Sequence, residues 1–133
     1  MIDRVLLRRE VLAELRNVRT YRQALRTPEA YTHAERVRMS AWVCVSEELL
    51  QILAQEHDGK NKAEYASELY GLKHKPRGSA RYVNAVSMHK YHMSEDGLRR
   101  WRDNALFCAS ILAVKHHAID LSSAGVNAEN NRV

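Results

Sequence analysis

Cysteine, glycine and long apolar runs are all scarce in this chain of 133 residues, and each scarcity narrows the field. The two cysteines, Cys44 and Cys108, show no pair or quartet spacing, which argues against a disulfide framework or a zinc knuckle. Both fall in apolar stripes, where buried packing is expected rather than nucleophilic chemistry. Five scattered glycines provide no phosphate-cradling loop, and Gly71, Gly78 and Gly97 read as helix punctuation. The opening MIDRVLLRRE reaches charged residues at once. Neither a signal peptide nor a membrane span is expected, and a reducing cytoplasm is the simplest compartment. There is no strand signal, no internal repeat and no low-complexity tract.

Helical periodicity is what fills the chain. Leu7, Val11, Leu15, Val18 and Leu25 recur at helical spacings opposite a stripe of Arg9, Arg16, Arg19 and Arg26, which predicts an amphipathic helix over about 3–25. Two starts fit the next helix within RTPEAYTHAE: Thr27-Pro28, or the capping-box pair Thr32 and Glu35. Its apolar side carries Val37, Ala41, Val45, Leu49, Ile52 and Leu53, and His57-Asp58-Gly59 should end it. Asn61 with Glu64 begins a third helix that breaks near Lys75-Pro76-Arg77-Gly78. Ser79 caps a fourth over 80–92, and Ser94, with Glu95 and Asp96 behind it, caps a fifth. In the fifth, Leu98, Trp101, Ala105, Cys108, Leu112, His116 and Ile119 form the inward stripe, widened by Phe107, Ile111 and Val114. The expected fold is an all-α, single-domain bundle of four to five helices over residues 1–121, followed by a short disordered tail over 122–133.

Charge is unevenly spread. The net of +5 divides into +3 for residues 1–32, −3 for 33–70, +6 for 71–102 and −1 for 103–133. A concentrated positive segment is the electrostatic footprint expected for a phosphate-bearing partner, although a basic helix face is often simply solvated.

That segment includes GSARYVNAVSMHKYHMSEDGLRR, residues 78–100. At 100° per residue, Arg81, Asn84, Met88 and His92 share one side of the fourth helix, and Tyr82, Val86, His89 and Met93 share the neighbouring side, which is expected to face inward. His89 then sits at a boundary, where a purely structural histidine and an acid–base group are both accommodated. His89 with His92, His116 with His117, and His74 can be drawn as a metal cluster, but no HExxH or paired-ligand motif accompanies them, so neither metal nor cofactor is expected.

The run Ala80-Arg81-Tyr82-Val83-Asn84, then His89, followed by a long apolar helix after a polar turn, resembles the HEPN (higher eukaryote and prokaryote nucleotide-binding) helical proteins. The likeness spans roughly residues 60–121 by pattern and about ten positions by motif. It implies a helical bundle that commonly dimerises and joins two motifs in an RNA-cleaving cleft without metal. Arg81 matches the motif arginine, Asn84 the polar residue and His89 the histidine. This chain departs from the pattern in having seven residues between Arg81 and His89, and in placing Val83 rather than arginine before Asn84. On a straight helix those side chains start about 12 Å apart along the axis and about 80° around it.

Histidine to take the ribose 2′-hydroxyl proton and arginine beside the phosphorane form a coherent pair for RNA cleavage. Lys73, Lys75, Arg77, Lys90, Arg99, Arg100 and Arg102 are the candidate backbone contacts, and Tyr82 or Tyr91 a stacking platform. The expected function is therefore association with nucleic acid, RNA ahead of DNA, as a HEPN-like ribonuclease or its catalytically degenerate relative, working as a homodimer. The competing expectation is a non-enzymatic helical subunit or adaptor in a larger complex, such as the small subunit of a CRISPR ribonucleoprotein or a phage-encoded inhibitor. A plain scaffold comes third.

Overall fold

In the computed structural model, which describes residues 4–73 and 79–119, every regular element is a helix. The expected tail at 122–133 lies outside the described residues. Among those described there are six α-helices and one 3-10 turn, against the four to five helices predicted: α1 Arg4–Arg16, α2 Val18–Ala24, the turn Pro28–Ala30, α3 His33–Ala54, α4 Gly59–Tyr70, α5 Ala80–Lys90 and α6 Glu95–Lys115. The extra helix comes from Asn17, which divides the predicted 3–25 helix. Its N–H bonds back three residues, to the Glu14 carbonyl at 3.0 Å, a 3-10 step in place of the α-helical bond to the fourth residue back. The break lets the chain change partners, since α1 packs on α6 and α2 on α3.

Local capping chemistry sets the other boundaries. Thr32 accepts from Glu35 N at 3.1 Å while the Glu35 carboxylate accepts from Thr32 N at 3.0 Å, so the capping box, not Pro28, starts α3. Ser79 and Ser94 cap α5 and α6 as expected, accepting from Tyr82 N and Gly97 N. At the α3–α4 corner the prediction needs correcting. Asp58 takes the left-handed conformation (φ 56°), and Gly59 begins α4, two residues ahead of Asn61. Gly59 is buried, and a Cβ there would lie 2.3 Å from the Ala54 carbonyl oxygen, so close approach of α4 to the end of α3 demands glycine.

The core runs through all six helices, with Val11, Leu15, Trp42, Leu49, Leu98 and Ala109 all at 1% exposure or less. Several face assignments are reversed. Phe107, Ile111 and Val114 are 66%, 54% and 40% exposed, because Phe107 lies nine residues from Leu98 and hence about half a turn round α6. Leu106, Ala109 and Ala113 widen the buried face instead. Val37 and Cys44 are also exposed, whereas Cys108 is half-buried and its thiol is pushed up by burial. No helix among the described residues is long and apolar enough to cross a membrane.

Candidate nucleic-acid interface

Short and exposed at both termini, α5 packs against α4 and α6. Val83 and Ser87 are its buried residues, and Asn84 and Met88 are half-buried. The predicted inward row is therefore wrong: Tyr82 is 68% exposed, Val86 is 41% exposed and His89 is exposed. Apolar residues stand on both sides of α5, and the side that meets α4 and α6 wins.

The three residues assigned to catalysis part company. Arg81 and His89 face outward, and neither side chain has a hydrogen bond or ion pair among the described residues. Asn84 turns in. Its Oδ1 accepts from the Tyr65 hydroxyl, and Arg102 Nη1 donates to both that oxygen, at 3.2 Å, and the Tyr65 hydroxyl, at 3.1 Å. This clip ties α4, α5 and α6 beside an aromatic group in which Tyr65 and Tyr91 lie 6.1 and 5.7 Å from Trp101. Burial raises the Tyr65 phenol against the opposing pull of Arg102 and takes Tyr91 up to about 12, with Glu64 reinforcing the latter.

The predicted backbone contacts are equally divided. Arg102 is part of the clip. Lys90 is paired with Glu64, whose carboxyl is held below its usual range by that hydrogen bond, and Arg99 with Asp96 at 2.8 Å one turn back. Arg100 is exposed, with no partner among the described residues. Lys75, Arg77 and His74 lie outside the described residues. No group of three metal-ligating side chains occurs among the described residues.

Lys73 belongs to a second basic feature that the sequence reading did not assign. With Arg19, Arg22, Gln23, Arg26 and Glu47 it lines a cleft of about 610 Å³. The arginine stripe was visible in the sequence, but its convergence with Lys73 depends on a contact fifty positions apart, from Arg22 to the Leu72 carbonyl. A second cleft, about 480 Å³, is walled by Trp42, Val37 and Ile119 with Glu10, Glu14 and Arg38 at its polar side. Glu14 is already occupied there, accepting from Tyr21 and Arg38.

The fold and these surfaces define an all-helical protein with cations on two separate outer features. No protein-family model matches the chain, and neither does any curated protein or solved structure.

Proposed function

We propose that this chain is a nucleic-acid-binding helical protein that holds single-stranded RNA, in preference to DNA, as a non-enzymatic subunit or adaptor. The observation that carries the reading is the outward face of α5. There Tyr82, at 68% exposure, stands between Arg81 and His89, and none of the three side chains is engaged among the described residues. An exposed aromatic ring flanked by cationic or polar groups is the arrangement that stacks an unpaired base and holds its phosphate. Of the two candidate platforms, Tyr82 is free while Tyr91 is half-buried against Trp101. Arg81 adds positive charge on that face, with no ion pair among the described residues.

Cleavage within one chain fits the geometry less well. Asn84 is turned into the clip, and Arg81 and His89 emerge about 12 Å apart along the helix. The HEPN-like ribonuclease is kept as a second reading because both those side chains face outward, where a second copy can supply the missing half of a site.

The test is binding of a short labelled single-stranded RNA in EDTA, followed by anisotropy and by gel. Native protein should bind in a salt-sensitive way and leave the strand intact. Tyr82→Ala should weaken binding by about fivefold to 150-fold, since a stacked base contributes about 1–3 kcal/mol. Metal-independent cleavage abolished by His89→Ala would instead establish the ribonuclease, and no binding at low salt would leave a scaffold.

A further inference from the structure

We infer that the cleft between α2 and the end of α4 is a phosphate-binding site, and that it seats backbone phosphates of a bound RNA strand. The first half stands on the cleft alone, and the second rests on the function proposed above.

Three features build the site. Arg19 and Arg22 share one face of α2, and Arg26 follows in the turn closed by its own N–H on the Gln23 carbonyl at 3.2 Å. Arg22 is fixed by three contacts: its guanidinium donates to the Leu72 carbonyl, reaches Ser46 Oγ at 3.4 Å and pairs with Glu47 at 3.7 Å. Ser46 is fully buried and is itself fixed by donating to the Val43 carbonyl at 2.7 Å. Because Leu72 is buried and its carbonyl is tied to Arg22, the next residue, Lys73, is delivered to the same cleft.

Among the described residues, four cations thus line a concavity that holds one carboxylate. Arg19, Arg26 and Lys73 have no ion pair among the described residues. Like charges gathered this way repel one another, and an anion entering between them relieves that repulsion. The guanidinium fork matches phosphate oxygens, and among the described residues Arg19 and Arg26 have theirs free to supply it, while Arg22, engaged at both terminal nitrogens, fixes the wall of the cleft. Phosphate is the anion whose geometry and charge such a set fits best. Tripolyphosphate shares this chemistry without a base or a sugar, and so separates the phosphate site from RNA recognition.

Two measurements on the full chain decide the matter. In ¹H–¹⁵N spectra, tripolyphosphate should shift amides of residues 18–26, 46–47 and 72–73, and shifts elsewhere only would overturn the site. In RNA titrations, the triple variant Arg19→Gln, Arg26→Gln, Lys73→Gln should lower the slope of log affinity against log salt by about two, from loss of three phosphate contacts to a single strand. Arg4→Gln, Arg9→Gln, Lys60→Gln removes the same charge elsewhere and should leave the slope nearly unchanged. Equal losses in both triples would reduce the cleft to net charge and overturn it. Full RNA binding by the cleft variant would overturn the seating of the strand while leaving the α5 reading intact. Tripolyphosphate shifts at the cleft in a protein that binds no RNA would have the opposite meaning, sparing the phosphate site and removing the RNA function. Melting curves confirm that each triple is folded; Arg26→Gln alone, at an exposed position past the end of α2, repeats the test if one is not.

Discussion

Arg102 donates from one nitrogen to two acceptors, Tyr65 and Asn84, and this decides what the residue is for. By sequence it belongs with Arg99 and Arg100 in a run of outward cations. In the structure its partly buried guanidinium bonds across three helices, whereas Arg100, two positions back, is exposed. Removing a charged donor from one buried and one half-buried acceptor costs about 1–3 kcal/mol. Arg102→Ala should lose that much in urea denaturation, while Arg100→Ala stays within about 0.5 kcal/mol, as exposed surface changes do. Equal losses would mean that the clip contributes nothing and that Arg102 is as free to meet phosphate as its neighbour.

At the scale of the element, three caps were legible in the sequence, the start of α4 was not, and faces were only partly so. Ser79, Ser94 and the Thr32–Glu35 pair act on amides within three residues, so spacing alone identifies them. Which side of a helix is buried depends on what it meets. On α5, Val83 and Ser87 are buried while Tyr82 and Val86 are exposed, an outcome that a short helix with apolar residues on both sides leaves open. The candidate site inherits that ambiguity: Arg81 and His89 emerge outward but Asn84 does not. The basic cleft was invisible for a different reason, since it needs Leu72 to meet Arg22 across the fold.

The same distinction gives α6 a direct test. Leu112 is 4% exposed and should cost about 2–5 kcal/mol on replacement by alanine, from lost transfer energy and the cavity left behind. Phe107, although larger, is 66% exposed, and Phe107→Ala should change stability by less than about 0.5 kcal/mol. Chemical denaturation of the two variants reads the phase of the helix, and a larger loss at Phe107 would invert it.

Across the whole molecule, carboxylates act as ties between helices as well as counter-charges. Glu48 of α3 accepts from Lys115 at 2.6 Å and from His116 at the end of α6, and Glu64 of α4 accepts from Lys90 of α5. Hydrogen bonds from those partners hold both carboxyls below the usual 4.5, and at Glu35 the backbone bond of the capping box has the same effect. A folded-state value below the unfolded one stabilises the protein above the unfolded value and ceases to do so as pH falls through the folded value. Stability should therefore drop as pH is lowered below about 4.5.

The alkaline limb has the opposite sign. Burial is the largest cause at each residue and raises the phenols of Tyr21, Tyr70 and Tyr91 to about 12. Their contribution is complete below the unfolded value near 10 and is lost between there and about 12. Urea midpoints measured against pH should form a plateau bounded by these two falls, with phenolate absorbance lagging on the alkaline side until the chain unfolds. Glu48→Gln should make the acid fall shallower and leave the alkaline one unchanged. An acid limb unaltered by that substitution would show that the Glu48 contacts with Lys115 and His116 do not stabilise the packing of α3 on α6, and would place the acid sensitivity at Glu35 and Glu64.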